Sequence, residues 1–355
     1  MYICGLKFLV ILKDTDIQII ASVKEILNKA NLNIVIIPHE NPDGDAIGSA
    51  IGLAEVLNNI GHNARIVTPN NYPDFLKWFS SDARITVYKD KKKKAKSIIK
   101  GADLMFCLDF NEASRAGKLE KRILNFENPK ILIDHHPYPT NFCEYTISET
   151  KYSSTAELLY DVICTTGFEK KITKSAAEAL YTGILTDTGS FAHNTSDPNT
   201  FKVVSELMKF GINTDKIQSG VYHNFSADRM KLLGYCLNKK MVVYPELRAA
   251  MISISKEELS RFNFKTGDTE GFVNYPLSIN NIVFSAIFIE KENIVKASFR
   301  SKGNFPANKF SSENFNGGGH LNAAGGESDL PLEETIEKFT QLLPGYKHQL
   351  LETII

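Results

Sequence analysis

Four apolar runs punctuate the first 190 residues, and each leads into acid or imidazole. NIVIIP runs up to His39, with Asp43 and Asp45 behind it; LMFCL (104–108) is followed by Asp109. KILI (130–133) leads into Asp134, His135 and His136, and EALYTGIL (178–185) into Asp187. Short continuous apolar runs bounded by polar residues predict buried strands. Between them the apolar period lengthens. Ile19, Ile20, Val23, Ile26 and Leu27 recur at helical spacing within 14–30, and AIGSAIGLAEVLNNIG (46–61) predicts a second helix closed by Gly61. Ala46, Gly48, Ser49, Ala50 and Gly52 predict close packing of that helix on a sheet. Strand and helix in alternation predict an α/β fold with a doubly wound, mainly parallel sheet.

Beyond Asp187 the pattern turns helical through PNTFKVVSELMKFG (198–211), TDKIQSGVYHN and SADRMKLLGYCLN (226–238). From about residue 240, MVVYPELRAAMISIS, NNIVFSAIFIE and NIVKASFRSK predict strands. A glycine-rich segment, NGGGHLNAAGG (316–326), and a closing helix, EETIEKFTQLL (333–343), follow. The expected organisation is a catalytic domain over 1–200, a helical connector over 201–238 and a smaller α+β domain over 239–355.

Composition narrows the function class. The 355 residues are 43% hydrophobic and 23% charged, with Lys plus Arg equal to Asp plus Glu. A formal net charge of zero gives no broad basic surface for long duplex DNA. DKKKKAK (90–96) reads as a solvated helix face. Five scattered cysteines without CxxC spacing exclude a disulfide framework or zinc knuckle and point to a reducing cytoplasm. The opening MYICGLKFLVILK is too short to span a bilayer and makes a poor signal peptide, so it is read as an extra segment of strand type; no membrane anchor is expected.

The strand ends carry the chemistry. In an open parallel sheet, groups at the carboxyl ends of the strands converge. Carboxylates with imidazole and no thiolate suit Mn²⁺ or Mg²⁺, and the ligand number exceeds the need of one ion, which points to a two-metal site. Several residues have a plainer reading. Asp45 equally caps the helix at Ala46, and Asp109 or Asp187 can be turn formers. Asp134-His135-His136 is hard to explain by packing. Ser154 three residues before Glu157 reads as a capping box, at a helix N-terminus that would also favour an anion.

HENPDGDAIGS, CLDF, DHH and TDTGSF, taken with GGGH at 317–320 and AAGG behind it, resemble the DHH phosphoesterase superfamily in its DHH–DHHA1 form. The resemblance runs from about residue 22 to 340. It implies His39, Asp43 and Asp109 on one metal ion, and Asp45, Asp109, His135 and Asp187 on the other, with Asp109 bridging. It further implies His136 facing the scissile phosphate and Asp134 orienting its neighbours, making Asp109, Asp134 and His136 the catalytic group. The chain departs from the family where Ala192-His193 follows TDTGSF in place of a basic or aromatic pair, which bears on substrate contact only.

In the second half, Gly317-Gly318-Gly319-His320 offers an anion-binding nest or, more plainly, a flexible loop. The family pattern implies substrate contacts from Arg300, Gly318, Gly319 and His320, with Ser298 and Ser301 flanking Arg300. Arg300 and Arg115 also read as surface residues. The closest subgroup is the bacterial type acting on short oligoribonucleotides of 2–5 nucleotides and on 3′-phosphoadenosine 5′-phosphate (pAp). The competing expectations are hydrolysis of pApA, the linear product of a cyclic dinucleotide, and a catalytically silent nucleotide-binding regulator. A homodimer is compatible with this reading.

Overall fold

The computed structural model describes residues 12–29, 31–77 and 84–354; the expected N-terminal strand lies almost entirely outside them. The chain divides into two compact units, one ending at Asn224 and one starting at Phe225.

The first unit opens with α1 (Asp14–Leu27), whose apolar spacing buries Ile20, Val23 and Leu27. Then come β1 (Asn33–Pro38), α2 (Gly44–Asn59), β2 (Asn63–Thr68), β3 (Ile85–Val87), α3 (Lys92–Lys100), β4 (Leu104–Leu108), α4 (Glu120–Leu124), β5 (Lys130–Asp134) and β6 (Tyr145–Ser148). Helices α5 (Thr155–Thr166), α6 (Lys174–Asp187), α7 (Pro198–Met208) and α8 (Thr214–Tyr222) complete it. The described strands form one parallel sheet in the order β3-β2-β1-β4-β5-β6. Strand order reverses between β1 and β4, and the carboxyl edge at such a switch point is where doubly wound sheets bind ligands. Both sheet faces are covered: Ile34, Ile36 and Phe106 face one apolar layer, and Val35, Ile37 and Met105 the other.

One predicted strand is a helix. EALYTGIL belongs to α6, which begins where the Thr173 side chain accepts a hydrogen bond from the Ala176 N–H. A short apolar run fits a buried strand or a buried helix equally; this one, with Ala176, Ala177 and a threonine cap in front, folds as the latter. The small residues of α2 serve α6 as well as the sheet. A Cβ on Gly48 would stand 2.5 Å from the Ala179 carbonyl oxygen, and one on Gly183 2.6 Å from the Ala156 Cβ and 2.8 Å from Asp45 Oδ1. Gly183→Ala should therefore lower the melting temperature and perturb Asp45, losing roughly 1–3 kcal/mol of stability to overpacking. An unchanged unfolding midpoint would show that the α2–α6 contact yields freely.

The second unit contains α9 (Ala227–Tyr235), β7 (Met241–Tyr244), β8 (Ala249–Ile254), α10 (Lys256–Arg261), β9 (Phe284–Glu290), β10 (Val295–Ser301), α11 (Ala307–Asn314), β11 (Gly318–His320), β12 (Ala323–Ser328), α12 (Leu332–Leu342) and α13 (Lys347–Leu351). The stretch expected as a connector is thus shared: α7 and α8 lie in the first unit, α9 in the second. The sheet runs β11-β12-β10-β9-β8-β7, antiparallel except for the β8–β9 pair. Phe284, Phe288, Phe299, Phe310 and Phe339 pack edge-to-face and tilted beneath it. No helix among the described residues is long and apolar enough to cross a membrane.

Candidate active site

Three strands and two helices deliver eight polar side chains to the carboxyl edge of the first sheet. His39 follows β1, Asp109 follows β4, and Asp134 closes β5 with His135 and His136 behind it. Asp43 caps α2, its Oδ1 accepting the N–H groups of Asp45 and Ala46, while Asp45 lies in the first turn. Asp187 is the last residue of α6, so a helix end and not a strand end supplies it. A carboxylate at a helix C-terminus faces an unfavourable dipole, which a nearby cation offsets.

Asp109 occupies the centre. Its backbone has φ +66°, a left-handed conformation that aspartate tolerates better than most residues. Its two oxygens look in different directions. Oδ2 lies 3.5 Å from His39 Nε2, which is also 3.8 Å from Asp43 Oδ1. Oδ1 lies 3.7 Å from His135 Nε2, which is also 4.0 Å from Asp45 Oδ2 and 3.5 Å from Asp187 Oδ2. Ligand atoms within each of the sets His39–Asp43–Asp109 and Asp45–His135–Asp187 lie inside 4.8 Å of one another.

The imidazoles are oriented from behind. His39 Nδ1 is 2.9 Å from the Glu40 carbonyl and His135 Nδ1 is 3.2 Å from that of Tyr152. A carbonyl only accepts, so both Nδ1 atoms carry a proton and both Nε2 atoms face the carboxylates. This is the usual arrangement for a metal-binding histidine. His136 Nδ1 donates to Asp134 Oδ1 at 2.7 Å.

Without a cation other than the proton, the cluster shifts its own titrations. Burial alone would depress the histidines, but the neighbouring carboxylates outweigh it: Asp109 and Asp43 raise His39 to about 10, and Asp187, Asp109 and Asp45 raise His135 to about 9. Burial, then the charges of Asp109 and Asp187, pushes Asp45 well above the usual carboxylate range. Burial likewise raises Asp187 to about 6, against the pull of His135. Asp109 moves down, because His39, His136 and His135 together outweigh its burial, and Asp43 moves down with it, His39 outweighing its burial. Four carboxylates crowded this closely fit a site whose balancing charge is divalent. Oxygen donors with imidazole and no thiolate suit Mn²⁺ or Mg²⁺.

Residues that sequence reading did not single out complete the cluster. Thr155, fully buried at the start of α5, donates from Oγ1 to Asp109 Oδ1 at 2.8 Å. The N–H groups of Thr155 and Ala156 donate to the two oxygens of Asp45 at 2.7 and 2.9 Å. The anion expected at this helix N-terminus is therefore the protein's own Asp45. The capping box is half formed. Ser154 Oγ accepts the Glu157 N–H, whereas the Glu157 carboxylate accepts from Ser153, Asn199 and Thr200.

The remaining candidates lie in the second unit. Arg300 sits on β10 opposite Ser285 and Ala323, and its Nη1 donates to the Phe299 carbonyl at 3.0 Å. Ser301, beside it, is buried and donates to the Phe305 carbonyl. The glycine-rich segment is a hairpin of β11 and β12, not a flexible loop. Most of its glycines have packing reasons: a Cβ on Gly317 would stand 2.0 Å from the Gly325 carbonyl oxygen, and one on Gly319 (φ +144°) 2.4 Å from that of Ala323. Gly318 differs, with nothing within 4 Å of its Cβ position. Arg115 is half-buried, its carbonyl accepting the Glu40 N–H.

Residues 33–184 match the DHH family, N-terminal domain, and residues 247–346 match the DHHA1 domain. A protein of Streptococcus mutans named probable bifunctional oligoribonuclease and PAP phosphatase NrnA is 31% identical over 302 residues, covering 84% of this chain and 91% of that one. The chain belongs to the DHH family. A second DHH relative, the bifunctional oligoribonuclease and PAP phosphatase NrnA of Thermus thermophilus, is 30% identical and covers 89% of this chain and 90% of its own. Among solved structures, an exopolyphosphatase-related protein from Bacteroides fragilis superposes with a TM-score of 0.89 at 42% identity, covering 94% of this chain and 98% of that one.

Proposed function

We propose that this chain is a cytoplasmic, metal-dependent phosphoesterase that hydrolyses short oligoribonucleotides and pAp. The observation that carries the reading is the split of Asp109, with one oxygen turned to each of two ligand sets. The activities for which the S. mutans and T. thermophilus relatives are named, matched over about nine-tenths of their length, support the substrate class.

His39, Asp43 and Asp109 would hold one divalent ion; Asp45, Asp109, His135 and Asp187 would hold a second. Mn²⁺ is the expected occupant, with Mg²⁺ the alternative. Bound there, two such ions would neutralise phosphate charge and make water a competent nucleophile at neutral pH. The chain's own groups do the rest. Asp134 fixes the His136 ring through Nδ1, and Nε2 would meet the phosphate and pass a proton to the leaving oxygen. In the second unit, Arg300, Gly318, Gly319 and His320 would recognise the nucleotide phosphates, and the open Cβ position of Gly318 allows a ligand to approach the backbone.

A Mn²⁺ activity panel of pAp, pApA, RNA of two to five nucleotides, a 24-mer, cyclic dinucleotides and pyrophosphate tests the reading. Hydrolysis confined to pAp and the short RNAs, with pApA cleaved no faster than other dinucleotides, is expected. Preferential hydrolysis of pApA would move the assignment to cyclic-dinucleotide turnover, and an inert protein would make it a binding regulator.

Arg300→Ala and His320→Ala should each lower kcat/KM on short nucleotides by about one to two decades, the value of a charge-assisted hydrogen bond at ~1.5–3 kcal/mol. Bound metal should stay at the wild-type level, because every proposed ligand precedes residue 190. Loss of metal in either variant, or an equal loss on a small unspecific phosphodiester, would remove the second unit from substrate recognition.

A further inference from the structure

We infer that Thr155 is a positioning residue of the metal centre: its hydroxyl sets the rotation of the Asp109 carboxylate so that each oxygen faces one ligand set. The inference rests on the two-metal reading above and adds a residue that no metal-ligand pattern contains.

An aspartate carboxylate turns easily about its last side-chain torsion, which is broad and lacks staggered wells. Sharing one carboxylate between two sites requires that this torsion be held. Thr155 Oγ1 lies 2.8 Å from Asp109 Oδ1, the oxygen that also faces His135, and this leaves Oδ2 on the side of His39. The donor itself is well fixed. Threonine is stiff at χ1, and at the first position of a helix no preceding turn offers the carbonyl that its hydroxyl would otherwise take. Its backbone N–H holds Asp45 Oδ2 at 2.7 Å, so the same residue touches both Asp109 and Asp45.

Helix α5 cannot easily shift under it. Its first three N–H groups are taken by Asp45 and by Ser154 Oγ. Glu157, two residues on, is tied to Asn199 Nδ2 at 2.8 Å and Thr200 Oγ1 at 3.0 Å on α7. The anchoring groups are all buried.

The test compares Thr155→Val, which keeps shape and backbone donors but loses the hydroxyl, with Thr155→Ser, which keeps the hydroxyl but loses the methyl. Mn²⁺ titration calorimetry on the metal-free proteins is the readout, with metal-free melting curves beside it. The valine variant should bind Mn²⁺ about 10–100-fold more weakly, the usual cost of removing a group that orients a ligand. The serine variant should retain affinity within about threefold, well inside that range. The opposite order, with valine tight and serine weak, would mean that Thr155 acts by packing and would overturn the inference. Equal affinity in wild type and Thr155→Val would overturn it too, leaving the metal reading intact. Wild-type protein that takes up no divalent ion would overturn both.

Discussion

Asp109→Ala is expected to abolish turnover, by on the order of 10³-fold or more, because it removes charge from both ligand sets at once. Bound Mn²⁺ should fall in parallel, measured by elemental analysis of the dialysed protein. Alanine also carries a backbone cost: position 109 has φ +66°, where alanine lacks the tolerance of aspartate, a strain of ~1–2 kcal/mol. Asp109→Asn is therefore the cleaner variant. Asparagine tolerates the same backbone and its amide oxygen can still accept from Thr155, while the charge and the second ligand oxygen are lost. A variant that keeps a tenth of the wild-type rate would remove Asp109 from the bridging position.

Exhaustive chelation should also abolish turnover, with Mn²⁺ restoring it better than Zn²⁺, since the ligand set has no thiolate. The metal-free protein should in addition lose stability as pH rises. His39 and His135 titrate near 10 and 9 when folded and near 6.5 when unfolded. Their protons therefore stabilise the fold fully below about pH 6.5, and that contribution disappears as pH climbs through 9 to 10. Asp187, raised to about 6, and Asp45, raised in the same direction, act with the same sign at lower pH. Each favours its protonated form in the fold, so ionisation costs stability as pH passes from the unfolded carboxylate value towards the folded one. Divalent ions bound by the proposed ligands would take the place of these protons. The rise in melting temperature on adding Mn²⁺ should consequently grow from pH 6 to pH 9. A metal-induced shift that is flat or falling with pH would show that the cluster does not exchange protons for metal.

Much of the site is visible in residue order because a parallel sheet converts it into position. His39, Asp109, Asp134, His135 and His136 each follow a buried apolar strand, and all strands of such a sheet end on one edge. Asp187 shows the limit of that logic. Its residue type and rough location were readable, but the run before it folds as helix, since an eight-residue apolar stretch has no period of its own to separate the two. The glycine-rich segment is a second case: GGG signals backbone freedom without saying whether a loop or a hairpin uses it.

What the chain order determined by itself is local: the alternation of elements, the acids and imidazoles at their ends, and the absence of thiolate among them. Only the tertiary structure decided the contacts that turn these groups into a centre. Thr155 meets Asp109 across 46 positions and Asp45 across 110. Gly48 and Gly183 let α2 and α6 approach until Asp45 and Asp187 face the same imidazole. Periodicity and residue type act over one turn or one strand, whereas a hydrogen bond to a distant carboxylate depends on how helices stack on the sheet. That stacking is set by the sum of many small packing contacts, which no short stretch of sequence carries.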